Sequence, residues 1–134
     1  MLRKIEHIGI AVRDIEAAER IFTDILGAES YKREVVESEH VLTSFFQMGE
    51  SKIELLQATH PDSAIARYLE KGKEGIHHIA FDVQDIHAEI ERLKGLGYTM
   101  IHDVPKEGAD NKLIAFMHPK GSNGVLVELC MEKP

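Results

Sequence analysis

The amino-acid sequence predicts an α+β fold built from two tandem βαβββ modules. Three observations predict it. The chain repeats itself: "HIGIAVRDI" at 7–15 aligns with "HIAFDVQDI" at 78–86, an offset of 71 that sets a histidine at the head of each copy. In each copy the apolar spacing then changes from the period of a strand to that of a helix. Three strand-length runs separated by turn residues follow each helix.

The first strand of module one alternates, with Ile8, Ile10 and Val12 on one face and His7, Gly9 and Ala11 on the other. Asp14 has the character of a helix N-cap. Behind it Ile15, Ala18, Phe22 and Ile25 form a stripe with Ile21 beside it, and Gly27 ends the helix. Strands are expected at about 29–37, 41–48 and 52–57, the last two joined by "MGES". The segment "HPDSAIARYLEKGKEG" starts on Asp62-Ser63, carries Ile65 and Leu69 and closes on glycines, so it predicts a connecting helix within 59–74. In module two Ile79, Phe81 and Val83 oppose His78, Ala80 and Asp82. Asp85 caps a helix striped by Ile86, Ile90 and Leu93 and stopped at Gly97. Strands are expected at about 98–104, 112–118 and 125–131, with "HPKGSNG" as the second turn. The expectation is one domain over 1–134: module one 1–58, the linker helix 59–74 and module two 75–134.

Composition narrows the function. Hydrophobic residues are 43% and charged residues 29%, the balance of a soluble globular chain. No apolar run approaches the roughly 20 residues that span a bilayer. The N-terminus reads as strand rather than signal peptide, so the expected location is the cytoplasm and no membrane partner is expected. A net charge of −7 argues against a nucleic-acid partner, which needs a basic face. Neither a Gly-x-Gly-x-x-Gly nor a P-loop motif occurs, so no nicotinamide or flavin cofactor is expected. The single cysteine, Cys130, excludes an intrachain disulfide, and its apolar surroundings in "GVLVELCM" read as a small buried residue rather than a catalytic thiol.

Four residues break the apolar pattern in a paired way. His7 and His78 share their strand faces with small or polar residues, as in a strand that lines a cavity. Glu54 in "KIELLQ" and Glu128 in "VLVELC" sit in runs otherwise made of Ile, Leu and Val. One such glutamate alone reads as a solvent-facing residue. Two, at corresponding positions beside two matched histidines, read as a shared site. His, Glu, His and Glu form a donor set that takes a divalent metal, and imidazole nitrogen suits zinc, cobalt, nickel or iron. His77 faces away from His78, and the repeat selects His78. His60, His87 and His102 read as exposed.

These residues resemble a known family. Over nearly all of its length the chain resembles the vicinal oxygen chelate superfamily, and within it the methylmalonyl-CoA epimerase family. The stretches that carry the resemblance are "KIEHIGIAV", "SKIELLQ", "DSAIARYLEKGKEGIHHIAFDV" and "NKLIAFMHPKGSNGVLVEL". It implies a curved mixed sheet around a metal-binding cleft. It implies His7, His78 and Glu128 as metal ligands, with Glu54 as a fourth ligand, a base or both. The implied ion is divalent, with cobalt, zinc, nickel, manganese and magnesium all candidates. The implied reaction interconverts (2R)- and (2S)-methylmalonyl-CoA by proton transfer at the carbon alpha to the thioester, through a stabilised enolate, with Glu128 and Glu54 as the catalytic pair. A homodimer and a small acyl-CoA substrate are implied as well. Asn111, His118 and Lys120 are weaker substrate-binding candidates, and Lys120 would face anionic groups of CoA. One departure stands out: Thr43 occupies a position that is an acid/base glutamate in some epimerases, and His40 is the nearby alternative. Two rivals share the fold, a glyoxalase I-type lactoylglutathione lyase and a non-enzymatic antibiotic-binding resistance protein. The full donor set and an aromatic content of 6% with no tryptophan speak against the second.

Overall fold

The computed structural model describes residues 2–134. Elements run β1 (Leu2–Ala11), α1 (Ile15–Leu26), β2 (Lys32–Val36), β3 (Val41–Met48), β4 (Ser51–Ala58), α2 (Ala64–Glu70), β5 (Gly75–Val83), α3 (Ile86–Gly95), β6 (Lys106–Glu107), β7 (Lys112–Met117) and β8 (Val127–Glu132). The order is βαβββ, helix, βαβββ. The chain packs into two compact units that do not follow the repeat boundary. One joins the residues up to His7 to His78–Pro134, and the other is Ile8–His77.

In the unit Ile8–His77, β2, β3 and β4 form an antiparallel meander with the end of β1 beside β4. Val12, Ile15, Ala18, Phe46 and Leu55 form its core, and Phe22, Leu26 and Ile53 pack onto it. Asp14 caps α1 by accepting from the backbone N–H groups of Glu16 and Ala17, and Gly27 closes it in the left-handed conformation at φ 69°. Ile25 departs from the expected stripe and is 66% exposed, while Leu26 packs onto the core in its place. At 3.6 residues per turn the two positions flank the stripe of 15, 18 and 22 on opposite sides, Leu26 next to Ile15 and Ile25 next to Ala18, and the core lies on the side of Leu26. The connecting helix forms as expected, with the Ser63 hydroxyl accepting from the N–H of Ala66.

In the other unit, β8 lies parallel to β5 and antiparallel to β7, so this sheet is mixed. The alternation sorts its residues onto two faces. Val83, Ala115, Met117 and Leu129 pack against Ile86 and Ile90 of α3. His78, Ala80, Ile114, Glu128 and Cys130 occupy the opposite face. Asp85 caps α3 by accepting from the N–H of Ala88. The expected strand over 98–104 does not form. Met100 makes an isolated bridge to Met117, while Ile101 N–H donates to the Phe116 carbonyl and His118 N–H to the Thr99 carbonyl. The edge strand forms later, as the two residues of β6 paired with Leu113 and Ile114. Burying the Met100 side chain holds the earlier segment in place without a ladder.

Candidate metal centre

Three of the candidate residues converge on the sheet face turned away from α3. His7 comes from β1, His78 from β5 and Glu128 from β8, and all three are buried. Glu128 reaches this point because Val127 and Leu129 alternate with it toward the helix face, and because it pairs with Ala80 and Phe116 in register. His7 Nε2 lies 3.0 Å from His78 Nε2. Glu128 Oε1 lies 3.0 Å from His78 Nε2 and 3.5 Å from His7 Nε2. Phe116 packs against one of the rings, meeting His78 at 5.4 Å between centroids and 90° between planes.

Two opposing influences act on the Glu128 carboxyl. Burial, the largest single influence, pushes its pKa up, and the rings of His7 and His78 beside it together push it down. The result lies well below the usual carboxylate range, so Glu128 is ionised near neutral pH. The donor set fits a divalent ion. Two ligands that each lie about 2.1 Å from one ion sit about 3.0 Å apart at right angles and about 3.4 Å apart at tetrahedral angles. Two of the three spacings, at 3.0 Å, match the right-angle value, and the third, at 3.5 Å, lies just beyond the tetrahedral one. Two buried imidazole nitrogens facing one another share at most one proton, which is poor company for a lone pair and good coordination geometry for a cation.

Glu54 lies in the unit Ile8–His77, on the face of β4 turned away from α1. It is 4% exposed, opposite Phe45 in the register, with Oε2 at 3.8 Å from the ammonium of the buried Lys52. Thr43 is buried on β3. The weaker candidates sit at turns. Asn111 is exposed, at φ 58°, and its carbonyl accepts from the N–H of Lys133. His118 caps the short 3-10 turn Pro119–Ser122 by accepting the N–H of Lys120 on Nδ1, and the Lys120 side chain is exposed. His77 packs edge-on against Tyr68 in the unit Ile8–His77.

The sequence reading missed Glu6. It is buried, and its Oε1 accepts from His7 Nδ1 at 2.7 Å. Strict alternation would set it with Ile8, away from His7, yet Glu6 and His7 are both buried after four exposed residues. A carboxylate immediately before a candidate ligand was the only signal available. Asp82, on the His78 face of β5, is also buried and takes a 2.8 Å ion pair from Arg3.

The fold and this donor set define the class of protein. The chain belongs to the Glyoxalase/Bleomycin resistance protein/Dioxygenase superfamily, which it matches over residues 6–116. Within that superfamily it is an enzyme of the epimerase type. It is 41% identical over 131 residues to the ethylmalonyl-CoA/methylmalonyl-CoA epimerase of Cereibacter sphaeroides, covering 96% of this chain and 98% of that one. It superposes on a Streptomyces coelicolor methylmalonyl-CoA epimerase solved in complex with 2-nitronate-propionyl-CoA, with a TM-score of 0.94 and 35% identity, covering 98% of this chain and 96% of that one. The same figures hold for a methylmalonyl-CoA epimerase solved with methylmalonyl-CoA and NH4+: TM-score 0.94, 35% identity, 98% and 96%. Among the described residues no helix is long and apolar enough to cross a membrane.

Proposed function

We propose that this chain interconverts (2R)- and (2S)-methylmalonyl-CoA with the help of a divalent metal ion. The observation that carries the proposal is the convergence of His7, His78 and Glu128, whose ligand atoms all lie within 4.8 Å of one another in a buried site. The similarity to epimerases of acyl-CoA thioesters supplies the substrate class. His7, His78 and Glu128 would hold the ion, and the repeat adds Glu54 as the fourth candidate ligand. A divalent cation held there would supply Lewis-acid stabilisation of the negative charge that develops on the substrate.

The chemistry asks for little else. The carbon between thioester and carboxylate loses its proton, the substrate becomes an enolate, and a proton returns to the other face. Glu128 and Glu54 are the proposed proton carriers, one for each face. Glu128 is ionised at neutral pH and therefore starts as an acceptor. Glu54 is buried as well, with Oε2 at 3.8 Å from the Lys52 ammonium. Thr43 has no part in the transfer, since a hydroxyl is no base near neutral pH. Lys120 and Asn111 are exposed, so a role for them with the CoA moiety would be played at the surface. The proposal includes a homodimer, which the family resemblance implies and sedimentation would test, and a cytoplasmic location, which cell fractionation would test.

The test is metal content together with turnover. Protein loaded with cobalt should racemise enantiopure methylmalonyl-CoA and lose that activity on chelation. A His7→Ala, His78→Ala double variant should bind no stoichiometric metal. Stoichiometric binding by that variant would remove this site from the proposal.

A further inference from the structure

We propose that Glu6 is the positioning residue of His7: its carboxylate grips the ring at Nδ1 and so presents Nε2 to the ion. The inference rests on the metal reading above and goes past the ligands to the group behind one of them. Glu6 is 4% exposed, and a buried carboxylate is costly without a partner. Its Oε1 lies 2.7 Å from His7 Nδ1, the length of a strong N–H···O bond to an ionised acceptor. A carboxylate only accepts, so in the neutral ring Nδ1 carries the proton and Nε2 the lone pair. Nε2 is the atom that faces His78 and Glu128.

A second contact extends the arrangement. Cys130 Sγ lies 3.8 Å from the same Oε1, a weak S–H donor to the carboxylate. Cys130 stands two residues after Glu128 on β8, so Glu6 links the ring of His7 to the strand that carries the carboxylate ligand. Glu6, His7 and Cys130 could together be read as a second metal set. The distances favour the hydrogen-bonded reading. Two ligands of one ion stay about 3.0 Å apart or more, and the 2.7 Å between Oε1 and Nδ1 falls short of that.

Outer-shell carboxylates of this kind typically contribute 10–100-fold to metal affinity. Two variants test the role. Glu6→Gln keeps the size but can offer the ring an N–H as well as an oxygen, and Glu6→Met removes the acceptor. Cobalt affinity would be measured by titration of the visible absorption bands. The His7 tautomer would be read from long-range 1H–15N correlation spectra of the metal-free proteins. The expected result is cobalt binding weaker by about 10–100-fold in each variant that folds, together with loss of the single Nδ1–H tautomer. Glu6→Asp, which restores a carboxylate, should recover part of the affinity. Cobalt binding within about threefold of the parent in Glu6→Gln, or an unchanged His7 tautomer, would overturn the inference alone. A parent protein that binds no cobalt would overturn the proposed function and this inference with it.

Discussion

At Glu128, burial and the neighbouring His7 and His78 rings pull in opposite directions, and the rings win. A carboxylate kept ionised at full burial needs cations, and a bound ion would serve better than the rings alone. Glu128→Gln keeps the shape and removes the charge. Cobalt affinity should fall by more than about 100-fold, beyond the 10–100-fold typical of an outer-shell residue. Titration calorimetry would check this, and affinity equal to the parent's would show that Glu128 is no ligand. If the metal can be forced on at high concentration and activity is then intact, Glu128 is no proton carrier either. His7, His78, Glu54 and Glu128 were legible in the sequence because each is a polar residue at a repeated place in an apolar strand. Glu6 was not, because the alternation that makes strand faces readable breaks at Glu6–His7. No rule of period two places two successive buried polar residues.

At the scale of elements, the helices were the most legible parts. Asp14 and Asp85 cap as their chemistry predicts, and the three-four spacing gives the buried stripes. Asp14→Ala should cost about 1 kcal/mol through two lost acceptor contacts, read as a lower midpoint in denaturant with an unchanged slope. Leu129→Ala removes a side chain packed under α3 and should cost about 2–5 kcal/mol. A tie between elements makes a pH prediction. Arg33 on β2 donates to Glu19 on α1, and the buried Ser44 hydroxyl on β3 donates to the same carboxylate at 2.6 Å. The Arg33 hydrogen bonds are the main reason the Glu19 pKa lies below its ordinary value. A lowered pKa means that the tie is fully present above the ordinary glutamate pKa and is lost as pH falls through the folded value. Arg33→Gln should therefore lower the melting temperature at pH 7 and make little difference near pH 3. An equal loss at both pH values would contradict the assignment. The misread element, 98–104, has the apolar and β-branched residues of a strand but is held by one bridge and a few backbone bonds to the Thr99–His102 stretch. Along β7 the segment meets only Phe116 and Met117, while β6 takes Leu113 and Ile114, and nothing in its own sequence reports where that division falls.

At the scale of the whole molecule, the repeated βαβββ order was legible because both copies keep the same cap, stripe and glycine. The division into compact units was less so, since it cuts both β1 and β5 beside their histidines rather than at the linker. Such a cut depends on which strands lie side by side, and local periodicity carries no record of that. The measurement closest to the central claim is hydrogen exchange at the reacting carbon. Cobalt-loaded protein would be incubated with methylmalonyl-CoA in D2O, beside a chelator-treated control, and mass spectrometry would follow the label. The account predicts metal-dependent deuterium at the carbon between thioester and carboxylate, with loss of stereochemical purity. An absence of label in protein shown to hold its metal would contradict it.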